Sequence, residues 1–283
     1  MAKSISAIEL VKNVTHLNSL PVTLARLQEL LDQPHSSSND IAKVIGSDPG
    51  LTANLLKLVN SAYFGFNRSI ESLEEAVRIV GTHQLHSLAL ANSASKLFDG
   101  LPSELISMPK FWRHSLFTAL YGRLLGKQIQ GTDPEHLFVC GLLHNMGSLI
   151  LYSELPEESK MCFMQPSYHG MQRAPIEELM IGFSHADVAA ELARLWHLPR
   201  RLEETIGNYI HPEQSRGFKK DASLIRLAAT IAYAQDSEEA TEEIPHQLWQ
   251  DVELSGDLLN KLLKSAEQQF ESAKRFILNR DDF

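Results

Sequence analysis

The segment Gly141–Gly147 has the sequence GLLHNMG and lies inside the apolar run Leu137–Leu151. A run of this length predicts one buried helix, which we place over Asp133–Tyr152. His144 and Asn145 are unexpected in such a helix, because a buried imidazole or amide costs free energy unless it finds a hydrogen-bond partner. The helix therefore either carries a polar site or satisfies both side chains with neighbouring backbone groups.

Helical signals continue on both sides of this segment. Leucines recur at helical spacing between Leu20 and Leu31, and Asp48 followed by Pro49 is typical of a helix start. The segment Pro156–Pro175 mixes proline, glycine, methionine and tyrosine, so a loop is predicted within it. A last helix is predicted over Asp257–Ile277. Together these patterns predict an all-α protein with two packed helical subdomains and an added C-terminal helix.

The composition argues against several classes of protein. The chain has 283 residues and a net charge of −9, and it has no extended cluster of lysine and arginine of the kind that binds nucleic acid. No apolar run is long enough to span a bilayer, and the first residues lack the apolar stretch of a secretory signal. The two cysteines, Cys140 and Cys162, are too few for a disulfide scaffold. We therefore expect a cytoplasmic protein without a nucleic-acid or membrane partner.

Four histidines fall in or beside different predicted helices, where their imidazoles could meet in one site. They are His114, His144, His185 and His211. Histidines from separate helices of a bundle can bind one metal ion in its interior. A lone histidine on a helix is more often structural, so only the set as a whole indicates a metal site.

Short motifs around these histidines, and others in the first half of the chain, follow one another in a definite order. They are Asp48–Leu51, Ser61–Gly65, Trp112–Ser115, Gly141–Gly147, Gly182–Asp187 and Trp196–Pro199. In this order and spacing, from about Leu17 to Ala234, the chain resembles the HDOD branch of the HD superfamily of helical metal-dependent phosphohydrolases. The resemblance implies that the second helical subdomain is a degenerate HD-like bundle.

The resemblance, together with a junction rich in proline and glycine between the two halves, predicts four segments. These are an N-terminal extension (1–16), an N-terminal helical subdomain (17–109), an HD-like helical bundle (110–235), and an acidic linker with the C-terminal helix (236–283).

Two positions depart from the pattern of catalytic HD enzymes. The resemblance implies an aspartate directly after the motif histidine, where this chain has Asn145, and a second aspartate in a later helix, where it has Ala229. A divalent hydrolytic metal needs anionic oxygen ligands that offset its charge, and these replacements remove both carboxylates. We therefore expect no catalytic residue. The four histidines could still hold a residual transition metal such as Zn²⁺ or Ni²⁺.

The resemblance implies a role in bacterial signal transduction, generally without hydrolase activity. The leading prediction is therefore a regulatory module that binds a protein partner or a small ligand. One alternative is an atypical metal-dependent phosphohydrolase acting on nucleotides or cyclic dinucleotides. Another is a sensor that binds a nucleotide second messenger without cleaving it, for which Arg113 and Arg123 are the candidate ligand-binding cations.

Overall fold

The computed structural model describes residues 5–14, 22–31, 33, 37–97, 105–168, 172–236 and 244–278. These residues form α-helices and short 3₁₀ turns without any β-strand, which confirms the predicted all-α fold. In chain order the helices are α1 (Ala7–Asn13), α2 (Val22–Leu31), α3 (Ser38–Gly46), α4 (Pro49–Val59), α5 (Leu73–Val80), α6 (Thr82–Leu97), α7 (Met108–Gly126), α8 (Pro134–Leu143), α9 (Met146–Glu154), α10 (Pro156–Phe163), α11 (Arg173–Met180), α12 (His185–Leu195), α13 (Arg200–Gly207), α14 (Lys219–Asp236), α15 (His246–Asp251) and α16 (Leu259–Leu278). In the part of the chain that the structure describes, no helix is long and apolar enough to cross a bilayer.

The chain divides into two compact units, each built from separate stretches of sequence. The larger unit comprises residues 1–18 and 100–263, and the smaller unit comprises residues 19–99 and 264–283. Helix α1 belongs to the larger unit, where it packs against α9 and α12. Helix α16 begins in the larger unit, and most of its length belongs to the smaller one.

Helix α7 forms the centre of the larger unit, because it packs against both α8 and α14. Every residue of α7 from Ser115 to Gly126 is buried, as expected for a helix surrounded by other elements. Phe117 and Tyr121 of α7 and Phe138 of α8 are among the largest side chains that are completely buried. This core fixes the position of the first turns of α7, which carry His114.

The apolar run that predicts a single helix forms two helices instead. Helix α8 ends at Leu143 and α9 begins at Met146, so His144 and Asn145 form a turn between them. The Nδ1 atom of His144 donates a hydrogen bond to the carbonyl oxygen of Gly141 at 2.6 Å, which satisfies an acceptor at the end of α8. The prediction of one continuous helix is therefore wrong at its two polar residues.

Glycines on either side of this turn allow two close helix contacts. A Cβ atom at Gly141 would lie 2.6 Å from the Cα atom of Ala119 in α7, which is too close for any side chain. A Cβ atom at Gly147 would overlap the backbone carbonyl oxygen of His185 in α12. The turn is thus held between the helices that carry His114 and His185.

The smaller unit contains α2 to α6 and the second part of α16. Helix α3 packs against α2, α4 and α5, and α6 packs against α2, α4 and α5. The side-chain amide of Asn92 in α6 donates a hydrogen bond to the carbonyl oxygen of Phe276 in α16. This bond joins the end of the last helix to the rest of the unit.

Candidate functional site

A cavity of about 330 Å³ lies within the larger unit. Its lining includes three of the four predicted histidines, His114, His144 and His185, and both positions at which aspartate is replaced, Asn145 and Ala229. The motifs identified in the sequence therefore meet at one place in the structure. The rest of the lining is mainly aromatic, with two cationic side chains.

The imidazoles of His114 and His144 lie side by side, with 5.5 Å between their ring centroids. Burial, and then the charge of Arg173, lower the pKa of His114 from 6.5 to about 3. Burial is also the main reason that the pKa of His144 lies well below its usual value. Both rings are therefore neutral at pH 7. Because Nδ1 of His144 donates to a backbone carbonyl, its Nε2 carries a lone pair.

His185 is fixed at the start of α12 by a cap and by two side-chain partners. Ser184 caps the helix, and Asp187 completes a capping box with it. The Oε2 atom of Glu177 accepts hydrogen bonds from the backbone N–H of His185 at 2.8 Å and from its Nδ1 at 2.5 Å. The Nε2 atom of His185 lies 2.6 Å from the hydroxyl oxygen of Tyr209. Both ring nitrogens of His185 are therefore already engaged.

The carboxylate of Glu177 is completely buried and is satisfied by several donors. Its second oxygen accepts a hydrogen bond from the hydroxyl of Tyr168 at 2.7 Å and lies 3.9 Å from Nη2 of Arg173. Burial opposes ionisation, but His185 and Arg173 outweigh it and lower the pKa of Glu177 to about 2. Glu177 is therefore ionised. It fixes the imidazole of His185 by a hydrogen bond and stabilises the nearby guanidinium of Arg173.

Arg173 is the main cation of the cavity, and it is held by Asn145. Its Nη2 atom donates hydrogen bonds to Oδ1 of Asn145 at 3.0 Å and to Oγ of Ser148 at 2.6 Å. The hydroxyl of Ser148 in turn donates to the same Oδ1 atom at 2.6 Å. The amide oxygen that stands where the resemblance implies a carboxylate therefore binds a positively charged side chain.

Three residues singled out from the sequence lie outside the described lining of the cavity. The side chain of His211 is 39% exposed and lies 3.7 Å from Oε1 of Glu178. Arg113 is exposed, with its guanidinium over an aromatic ring. Arg123 is buried, and its Nε atom donates to Glu135 at 2.6 Å. His211 thus lies next to surface carboxylates, Arg113 packs on an aromatic ring, and Arg123 pairs with Glu135.

Sequence reasoning missed Arg173, Glu177 and Tyr209. Arg173 and Glu177 lie within or just beyond the segment in which a loop is predicted, although their separation by four residues is typical of a helical ion pair. That spacing was the only local signal for either residue. Tyr209 directly precedes the Ile210–His211 pair, and it is the tyrosine rather than the histidine that enters the cavity.

The residues at the cavity do not fit a pair of divalent hydrolytic ions. Such ions need carboxylate oxygens, whereas Asn145 offers an amide oxygen that is bonded to Arg173, and Ala229 offers no ligand. The guanidinium adds a positive charge where a metal would require negative ones. Within the described ranges, no group of three or more histidine, cysteine, aspartate or glutamate side chains is arranged to hold a metal ion.

Several solved structures share this fold. A protein from Shewanella amazonensis SB2B, whose name suggests a phosphohydrolase, is 25% identical, with a TM-score of 0.75 over 97% of this chain and 100% of its own. A protein from Marinobacter aquaeolei VT8, whose name suggests signal transduction, is 21% identical, with a TM-score of 0.70 over 91% of this chain and 59% of its own. An HDOD domain protein of unknown function from Geobacter sulfurreducens is 20% identical, with a TM-score of 0.66 over 95% of this chain and 97% of its own. Because the last two proteins are only 21% and 20% identical to this chain, they show only that the fold is shared.

Comparison of sequences agrees with the comparison of folds. An uncharacterized protein from Treponema pallidum (strain Nichols) is 28% identical over 250 residues, which make up 86% of this chain and 47% of that protein. The chain therefore spans about half the length of this curated relative. The family model of the HDOD domain matches residues 17–212, which is more than half of the chain. This match confirms the resemblance seen in the motifs, and the chain belongs to the HDOD family.

Proposed function

We propose that this chain is a regulatory module that binds a small ligand or a protein partner and does not hydrolyse phosphoesters. The observation that supports this most is the hydrogen bond of 3.0 Å from Nη2 of Arg173 to Oδ1 of Asn145. Resemblance to catalytic HD enzymes implies a metal-binding aspartate at position 145. In this chain the same position binds a fixed cation instead.

The charges around the cavity support the same proposal. A two-metal mechanism needs anionic groups that hold both ions. The described lining contains the cations Lys110 and Arg173 and has no carboxylate. An incoming divalent ion would be repelled by the guanidinium and would have to displace the hydrogen bonds that hold it. The positive charge of Arg173 and the loss of the two carboxylate ligands therefore both disfavour the binding of divalent ions.

A single residual transition ion is the metal site that the remaining histidines would favour. His114 and His144 are neutral and adjacent, and Zn²⁺ or Ni²⁺ accepts imidazole nitrogen well. His185 would first have to give up its hydrogen bond to Glu177 or Tyr209. On this proposal such an ion is bound weakly and does not support hydrolysis.

Exposed apolar side chains in α10, directly after it and in α11 support the part of the proposal that concerns a protein partner. Met161, Met164 and Leu179 are 47%, 80% and 86% exposed, respectively, and large exposed apolar side chains are frequent at interaction sites. Helix α11 also carries Arg173, which lines the cavity. A ligand in the cavity would thus contact the same helix that exposes Leu179. On this proposal, ligand binding can therefore alter partner binding through α11.

A hydrolysis panel tests the proposal. The protein is incubated with Mn²⁺, Ni²⁺ or Zn²⁺ and with p-nitrophenyl phosphate, a nucleoside triphosphate or a cyclic dinucleotide. We expect the same product release as from the His114→Gln variant, which removes one of the two adjacent imidazoles. Turnover that requires added metal, stops on chelation and is lost in His114→Gln would show that the protein is a phosphohydrolase.

A further inference from the structure

We infer that the cavity binds a small aromatic anion, with its acidic group on the guanidinium of Arg173 and its ring against the tyrosine and phenylalanine side chains beside it. The inference rests on the proposed function, because it treats the cavity as a site that binds without hydrolysis. It adds the chemical class of the ligand, which is one ring system that carries a carboxylate or a phosphate.

The charges that face the cavity select an anion. The chain has a net charge of −9, yet the described lining contains Lys110 and Arg173 and no carboxylate. Glu177 lies close to Arg173 but is completely buried. Its two oxygens already accept hydrogen bonds from His185 and Tyr168. The carboxylate of Glu177 therefore partly offsets the charge of Arg173, but it lies outside the described lining and accepts no hydrogen bond that a ligand would need from the guanidinium.

One donor of Arg173 has no acceptor among the described residues. Its Nη2 atom is held by Asn145 and Ser148, so the guanidinium is fixed before a ligand arrives. Its Nε atom is buried and has no hydrogen-bond partner among the described residues. A buried N–H group without an acceptor is unfavourable. Because Arg173 lines the cavity, a carboxylate or phosphate oxygen bound there would lie against its guanidinium, and guanidinium groups bind such oxygens in pairs.

Aromatic rings form a wall of the cavity next to this cation. The ring centroids of Tyr152 and Phe163 are 5.3 Å apart, and those of Phe163 and Tyr168 are 4.9 Å apart. The guanidinium carbon of Arg173 lies 5.7 Å from the ring centroid of Tyr168. An acidic group at Arg173 would therefore lie beside rings against which a planar ligand can pack. This proximity favours a ligand whose acidic group is attached close to its ring.

The size of the cavity limits the ligand further. Its volume of about 330 Å³ is at the lower end of the range of small-molecule pockets, roughly 300 to 1,000 Å³. A single ring system with one acidic group suits this volume better than a cyclic dinucleotide, which has two nucleobases and two phosphates. An aryl carboxylate and an aryl phosphate share the required chemistry, whereas a mononucleotide separates its phosphate from its base by a ribose.

Isothermal titration calorimetry with matched probes tests the inference. Benzoate, phenyl phosphate and adenosine 5′-monophosphate are the aromatic anions, benzamide is a neutral ring, and inorganic phosphate is an anion without a ring. We expect at least one aromatic anion to bind about 10- to 100-fold more tightly than benzamide, the difference expected for hydrogen bonds to a charged group. We also expect it to bind more tightly than inorganic phosphate. The three aromatic anions distinguish a carboxylate, a simple phosphate and a nucleotide.

Variants of the cations test where the anion binds. Arg173→Lys keeps the charge but loses the paired donors, so we expect affinity to fall about tenfold or more. Arg201→Gln is the control, because Arg201 belongs to the same unit but pairs with Asp221 at 2.7 Å and lies outside the described lining. If circular dichroism shows that Arg173→Lys is unfolded, Lys110→Gln replaces it. Lys110 is exposed at the cavity, so its loss should weaken anion binding without affecting folding.

Three results would overturn the inference. They are equal affinity for benzoate and benzamide, unchanged affinity in the folded cation variant, and no binding by any aromatic anion. The last result would leave the proposed function intact, provided that the hydrolysis panel is also negative. Metal-dependent turnover in that panel would instead remove the proposed function itself, so the two failures are distinguishable.

Discussion

The amide oxygen of Asn145 accepts hydrogen bonds from Arg173 at 3.0 Å and from Ser148 at 2.6 Å. An aspartate at this position would offer a charged oxygen to a metal ion. In the present chain it would instead form an ion pair with the guanidinium that is already there. Restoring the carboxylate alone is therefore insufficient to restore a metal site, and removal of the Arg173 side chain is needed as well.

The side chain of another histidine, His136, is 12% exposed. It lies in the larger unit but outside the described cavity lining. Its Nε2 atom lies 3.3 Å from Sγ of Cys140 and 3.7 Å from Oδ2 of Asp221. Burial and then the charge of Arg201 lower the pKa of His136 from 6.5 to about 4, because Asp221 offsets them only in part. The ring is therefore neutral in the folded protein at pH 5, where a histidine in the unfolded chain is protonated.

We predict that the free energy of unfolding of the larger unit decreases as the pH falls from about 6.5 to about 4. Over this range the unfolded chain binds a proton at His136 that the folded unit excludes. This proton binding costs the folded unit no stability above about pH 6.5, and its full cost is reached below about pH 4. A shift of this size corresponds to about 3 kcal/mol at most. His114 and His144 act in the same direction, since their pKa values are also lowered.

Urea unfolding at a series of pH values measures this effect. The His136→Gln variant should show a smaller pH slope than the natural sequence. His246→Gln is the control, because His246 is exposed and should leave the slope unchanged. Identical slopes for the natural sequence and both variants would show that His136 does not contribute.

Two glycines of the GLLHNMG segment determine where the turn lies. Gly141 allows α8 to approach the backbone of α7 at Ala119, and Gly147 allows α9 to approach the backbone of α12 at His185. Each contact leaves no room for a Cβ atom. The turn between the glycines therefore brings His144 next to the helices that carry the other two imidazoles.

We predict that Gly147→Ala destabilises the larger unit by about 1 to 3 kcal/mol or more, because the added methyl group forces α9 and α12 apart. Thermal unfolding monitored by circular dichroism measures the loss. Gly217→Ala is the matched control in the same unit, since a Cβ atom there would have no neighbour within 4 Å. Equal melting temperatures for the two variants would mean that the close contact at Gly147 is not required.

The break between α8 and α9 could not be predicted from local periodicity. The apolar residues on both sides of His144 continue at a spacing that suits one helix, and neither proline nor glycine interrupts the pair His144–Asn145. At this break the ring of His144 bonds to the carbonyl oxygen of Gly141, and the side chain of Asn145 binds Arg173. These are contacts of side chains, which a pattern of apolar residues does not record.

The sequence predicts the all-α fold and the family correctly. It also predicts that the imidazoles of His114, His144 and His185 could meet in one site, and all three residues line the cavity. The sequence does not predict that Arg173 is a cation of the cavity. Arg173 contacts Asn145 across 28 residues, and such a contact depends on how α11 packs. The arginines chosen from the sequence, Arg113 and Arg123, lie outside the described lining.

The metal content of the protein tests most directly whether Arg173 has replaced a metal ion. The natural sequence and the Asn145→Asp/Arg173→Ala variant are dialysed against Mn²⁺, Ni²⁺ or Zn²⁺ and analysed by inductively coupled plasma mass spectrometry. We predict that the natural sequence retains a substoichiometric amount of each metal. The double variant, which restores a carboxylate and removes the cation, should retain a stoichiometric amount of Zn²⁺ or Ni²⁺. Two divalent ions retained per chain of the natural sequence would contradict this account.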